Sequence, residues 1–215
     1  MKKYGFTLAE VLITLGIIGV VAAMTMPVLI SHHKTKVIQT ALKKTYSELG
    51  QAVNMLMYDN GNTLEGLCDN DNDHNCFAHK LAEKMKVNKI CEANTEENDE
   101  RCWGRANAQA RPHIVLSDGR IYQIYHDESK CIQYEDTEDN VYYIPGATQC
   151  GSVFVDINGL KGPNRNGKDI FFFVISKKGV YPGGSPLIFK EGKYTPDCTQ
   201  KINEFCAYHY LYDVK

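Results

Sequence analysis

The strongest constraint on this chain is an apolar run, residues 6–30, FTLAEVLITLGIIGVVAAMTMPVLI, set behind a short leader that carries Lys2 and Lys3. Its one charged side chain is Glu10. As a helix rising about 1.5 Å per residue, the run reaches roughly 37 Å. A hydrocarbon core is about 30 Å thick, so such a helix crosses it with some tilt. A soluble fold alone does not explain it. Glu10 is then the anomaly: a carboxylate inside a bilayer helix costs on the order of 3 kcal/mol and marks a functional candidate.

The residues around that carboxylate carry a likeness. Gly5-Phe6-Thr7-Leu8-Ala9-Glu10, between a basic leader and an apolar helix, resembles the processing site of the type IV prepilin family. That family includes the pseudopilins of type II secretion and of competence systems. The resemblance implies that a membrane-embedded aspartyl peptidase cuts between Gly5 and Phe6 and methylates the new amine. The mature chain would then begin at N-methyl-Phe6. Pro27, with Gly16 and Gly19 upstream, falls where helices of that family loosen on packing into a filament. Gly5 and Phe6 are thus the processing positions, and Phe6, Glu10 and Pro27 the assembly positions.

Charge physics supports the same assignment. Cleavage leaves an amine on Phe6, one helical turn from Glu10. If neighbouring copies are staggered by about one turn, the amine of one meets the carboxylate of the next. A buried pair is tolerated where an isolated charge is not, and it sets the register between copies, as a lone polar group does in a coiled coil. Two plainer readings compete. One is a secretory signal peptide cut after Ala23; the other is a membrane anchor that is never cut.

The net charge is −2, and −4 once the two leader lysines are removed. That balance argues against a dedicated nucleic-acid surface. Lysines before the apolar run place the N-terminus in the cytoplasm and the rest outside. The eight cysteines, Cys68, Cys76, Cys91, Cys102, Cys131, Cys150, Cys198 and Cys206, all follow the run. In an exported domain they are disulfide candidates. Sequence does not choose among the pairings; joining chain neighbours is the simplest, each bridge contributing about 2–4 kcal/mol. A zinc set of Cys68, His74, Cys76 and His79 matches no familiar spacing.

Residues 31–36 mark the exit into water. Beyond them Ile38, Leu42, Tyr46, Leu49, Val53 and Leu56 recur at helical spacing, and Asp59-Asn60-Gly61 supplies a stop. One helix is expected over residues 6–58. Residues 67–111 read as irregular, with a short helix over 79–87 and an acidic stretch over 92–101. Asp69 to Asp73 resemble the start of an EF-hand, but His74 occupies the glycine position and Lys80 the closing glutamate, so a solvated loop is expected. Trp103 reads as a packing residue.

From His113 the period becomes strand-like. Residues 114–116 and 121–125 flank Asp118-Gly119, a hairpin signal. Residues 141–144, 152–157 and 170–175 add strands. An α+β fold follows, with a four-stranded antiparallel sheet laid on the helix, as the pilin resemblance also implies. Tyr208, Tyr210 and Tyr212 alternate like an edge strand. The loop 156–169 presents Asp156, Asn158, Asn164 and Asp169 as candidate calcium ligands, and it is similar to a loop that binds calcium in some pseudopilins. With only two carboxylates, a turn held by Asx hydrogen bonds is the favoured reading.

No nucleophile elbow, metalloprotease helix, phosphate loop or dinucleotide fingerprint is present, so no enzyme is expected. The expected organisation is a leader (1–5), a membrane and filament-core helix (6–30), its amphipathic continuation (31–60) and an extracytoplasmic head (61–215). The resemblance implies a minor pilin or pseudopilin of a type IV pilus or type II secretion-like filament. It would start in the cytoplasmic membrane and end in a periplasmic or surface fibre. Its partners would be the membrane, other pilin or pseudopilin subunits, the prepilin peptidase and the assembly platform. The alternative is a tip subunit that binds a surface ligand or DNA. Beyond the candidate calcium, no cofactor is implied.

Overall fold

The computed structural model describes residues 5, 7–95, 100–103, 110–135, 143–190 and 197–213. The chain divides into two units, Met1–Val37 and Ile38–Lys215. Helix α1 (Leu8–Asp59) contributes to both.

In the first unit the helix is apolar on every side, and its most hydrophobic window is not buried at all. Fourteen large apolar side chains between Leu8 and Ile30 are at least 40% exposed, far too many for chance surface hydrophobes. Its hydroxyls are turned inward on the backbone. Thr14 Oγ1 donates to the Glu10 carbonyl at 2.9 Å, and Thr25 Oγ1 to that of Val21 at 3.0 Å. Such bonds satisfy polar groups where no water reaches. Pro27 lies inside the helix and has no N–H to donate to Ala23.

In the second unit Leu42, Leu49, Val53 and Leu56 of α1 are buried. They share one core with Tyr122, Ile124, Val153, Phe171 and Phe173. Helix α2 (His74–Ala82) adds Phe77 and Leu81 to it. Strands β1 (Val87–Cys91), β2 (His113–Leu116), β3 (Ile121–His126), β6 (Gly151–Asp156), β7 (Ile170–Ser176) and β8 (Gly179–Pro182) form one antiparallel sheet in that order, and β4 (Ile132–Gln133) pairs with β5 (Thr148–Gln149) apart from it. Every residue of β7 is buried. Phe171 and Phe173 face the α1 core, whereas Phe172 and Val174 join Ile188 and Phe189 on the other face.

The sheet thus has six strands rather than four. The two extra strands are hard to read in sequence for the same reason: they are edges. β1 exposes Asn88 and Lys89, and β8 ends in Pro182; charge and proline both protect an edge. The predicted 79–87 helix lies earlier, at α2, where the Asp73 side chain accepts from Cys76 N at 2.9 Å. An aspartate of the acidic run is therefore a helix cap, not a metal ligand. Helix α3 (Glu100–Trp103) carries Trp103 into a buried contact with the His113 ring, centroids 5.0 Å apart. The tyrosines expected as a strand are in helix α4 (Ala207–Tyr212). Alternation by two also yields an i,i+4 pair, and the rings of Tyr208 and Tyr212 meet at a tilt, centroids 4.7 Å apart, while Tyr210 meets Phe171. In the expected 141–144 strand, Tyr143 makes a single antiparallel bridge to Phe189; residues 141 and 142 lie outside the described residues.

Two contacts lock hairpin β2–β3 in place. The buried Arg120 donates to Asp118, to Thr45 Oγ1 and Glu48 of α1, and to the Tyr122 hydroxyl. Burial pushes the Asp118 carboxyl up, but the hydrogen bonds from Arg120 and Lys44 outweigh it and hold it well below the usual range. Behind the turn, Gly159 at φ +66° packs so closely that a Cβ there would sit 2.0 Å from the Gly119 carbonyl oxygen. Gly159→Ala should therefore cost about 2–4 kcal/mol in urea unfolding of the detergent-solubilised chain. Gly50→Ala, inside α1 with nothing within 4 Å, should instead stabilise, by up to about 1 kcal/mol.

Candidate assembly site

The start of α1 is a reciprocal cap. Thr7 Oγ1 accepts from Glu10 N at 3.3 Å, and Glu10 Oε2 accepts from Thr7 N at 2.8 Å and from Thr7 Oγ1 at 2.7 Å. This is a capping box, T-x-x-E. It places the carboxylate at the positive end of the helix dipole. The isolated charge in the apolar run thus has partners within its own chain. Sequence patterning does not single out Thr7 as a functional residue, although its spacing from Glu10 is the ordinary signature of this cap. Gly5 precedes the helix and touches nothing within 4 Å of where a Cβ would lie. Phe6 lies outside the described residues.

The cysteines are all bridged: Cys68–Cys76, Cys91–Cys102, Cys131–Cys150 and Cys198–Cys206. Each joins chain neighbours. They tie the loop before α2 to its first turn and span the β1–α3 connection, the β4–β5 region and the 3-10 turn Glu204–Cys206. The zinc set is not brought together, because its two sulfurs are bonded to each other. Its histidines serve elsewhere: His74 Nδ1 accepts from His126 N at 3.0 Å, and His79 lies 3.0 Å from Glu92.

Loop 156–169 is closed by its carboxylates acting on its own backbone. Asp169 accepts from Asn164 N at 2.7 Å and from Arg165 N at 2.5 Å, and Asp156 accepts from Asn158 N at 3.1 Å. Calcium takes six to eight oxygen ligands. Here both Asp169 oxygens accept from backbone amides, which is the Asx-held turn that the residues favour. No group of three His, Cys, Asp or Glu side chains placed to hold a metal ion occurs among the described residues.

Two measurements check these sites. Asp169→Ala removes a buried acceptor of two amides, and should cost about 2–3 kcal/mol. A calcium chelator should leave the melting temperature unchanged; a rise on adding calcium would contradict the Asx reading. The histidines give a pH dependence. Burial holds the His113 ring at about 3, and burial with the Arg111 charge holds His74 at about 4. Gln123 Nε2 lies 3.1 Å from His113 Nε2, where a neutral ring accepts. The unfolded chain binds protons that the fold refuses, so stability is full above about pH 6.5 and is lost as pH falls toward 4. Urea midpoints should drop through that window, and His113→Gln should flatten the slope.

The comparisons with known proteins agree with this geometry. Residues 1–26 match the prokaryotic N-terminal methylation motif, the signature of type IV pilins and pseudopilins. No curated protein and no solved structure matches the chain. Residues 28–181 match a second family, which takes in α1 from Val28 onward and the sheet into β8. The chain therefore belongs to the family of unknown function DUF6613, here joined to a pilin-type N-terminus.

Proposed function

We propose that this chain is a minor pilin or pseudopilin, cut between Gly5 and Phe6, methylated on Phe6, and assembled through the first part of α1 into a type IV pilus or type II secretion-like filament. The observation that carries the reading is the first unit itself. Over residues 8–30 it is a helix apolar all round, charged only at Glu10, and it lies largely within the methylation motif. Lipid satisfies that surface in the waiting subunit, and copies of the same helix satisfy it in the fibre.

Glu10 then changes partner on assembly. In the waiting subunit Thr7 holds it; in the filament it meets the Phe6 amine of a neighbouring copy. At Gly16 and Gly19 a Cβ would meet nothing within 4 Å, and its absence leaves room for a second helix to approach closely. Cations stand on both sides of the span, Lys2 and Lys3 before it and Lys34 and Lys36 after it, so the count of cations alone does not orient the helix. The four disulfides favour an oxidising compartment for the head, which supports an N-terminus in the cytoplasm.

The test is Glu10→Ala in the full chain. Membrane insertion should be kept, because the substitution removes the only charge from the span. Recovery in sheared filaments should fall at least about tenfold, the equivalent of 1.4 kcal/mol. Unchanged incorporation would overturn the assembly role.

A further inference from the structure

The loop that joins β6 to β7, residues 157–168, carries Lys161, Arg165 and Lys168 and no carboxylate. All three are exposed, and none of their side chains has a partner among the described residues. The acids at the two ends of the loop, Asp156 and Asp169, are buried and accept from the loop's own amides. Lys201 and Ile202 lie beside it: a Cβ on Gly167 would sit 2.6 Å from Ile202 Cγ2, so the two stretches form one surface. Its apolar side chains are uncovered, Leu160 being 52% exposed and Ile202 49%. The carboxylates of the second stretch, Asp197 and Glu204, accept hydrogen bonds from Thr199 and Asn166.

Cations set around exposed aliphatic side chains suit an anionic bilayer surface. The charges meet lipid headgroups, and the apolar side chains reach the acyl boundary. A single-stranded nucleic acid would need aromatic rings for its bases to stack on, and residues 157–168 and 201–203 contain none. The loop is already held by its carboxylates, so docking orders little that is not ordered. Its place in the fold adds to this. Asp156 pairs with Ile121, so the loop leaves the sheet at the end where Arg120 is bonded to Thr45 and Glu48 of α1. Thr45 follows Ile30 by fifteen residues. A chain whose span crosses a bilayer therefore offers this surface to lipid at high effective concentration.

We infer that Leu160, Lys161, Arg165 and Lys168, with Lys201 and Ile202, form a footing for the head on anionic lipid, an inference that rests on the membrane-spanning part of the reading above. Each cation close to such a surface is worth about fivefold in binding, so the three of the loop give about a hundredfold, less as salt rises. The footing holds the head of the waiting subunit against the bilayer, and assembly into the fibre lifts it off.

The test is amide hydrogen exchange of the full-length chain in two kinds of vesicle, phosphatidylcholine alone and phosphatidylcholine with phosphatidylglycerol in equal parts. The 157–168 peptide should exchange at least about fivefold more slowly in the anionic vesicles, and high salt should remove the difference. Lys161→Glu with Lys168→Glu should remove it too, while the β7 peptide stays as protected as in wild type, which shows the head still folded. Equal exchange of wild type in the two vesicles would overturn the footing. So would protection in phosphatidylcholine alone that grows with the ratio of protein to lipid, the mark of a second copy, or protection by added DNA with none from the anionic lipid. If the chain does not float with vesicles of either kind, the membrane reading falls first and the footing with it; a chain that floats but exchanges equally sinks the footing alone.

Discussion

Apolar surface that a chain leaves uncovered has to find another solvent. The side chains of the first unit would each gain roughly 1.5–3 kcal/mol from burial, and their own chain buries none of the most hydrophobic window. Water is the one environment this helix cannot keep. Lipid and a bundle of identical helices are the two that suit it, and both require the same inventory: no charge along the rod, hydroxyls turned onto the backbone, and one carboxylate placed where it has a partner. Thr14, Thr25 and Glu10 meet those terms.

The second unit solves the opposite problem, since it carries a core of its own and four disulfides. Half of α1 gives it a greasy face, β7 supplies phenylalanines to both sides of the sheet, and the Arg120 group fastens helix to hairpin. A buried charged cluster is weak support for stability when compared with apolar packing, but breaking one partner is costly. Arg120 is best seen as fixing where the turn sits on α1. Disulfides and the Asp169 loop then hold the irregular segments that no regular hydrogen bonding covers.

What the sequence revealed depended on how regular the signal was. A continuous apolar run, a three-four repeat and an Asp-Gly hairpin each have one strong physical reading, and all three elements are present. The edge strands were not legible, because β1 and β8 carry the charge and proline that make an edge safe and a strand faint. The C-terminal tyrosines misled through periodicity: a spacing of two is also a spacing of four, and the clamp at Cys198–Cys206 leads into a helix. At the assembly site Glu10 stood out by its cost, whereas Thr7 did not, since a threonine in an apolar run looks inert until its hydroxyl is seen closing the cap.

The whole account stands on the apolar helix being kept and used. Intact-mass and N-terminal peptide analysis of the chain recovered from its native cells tests that most directly. The account predicts a chain that lacks Met1 to Gly5 and begins at N-methylated Phe6. A chain that begins at Met24, its helix discarded as a signal peptide, or one that keeps Met1 in the assembled state, would contradict it.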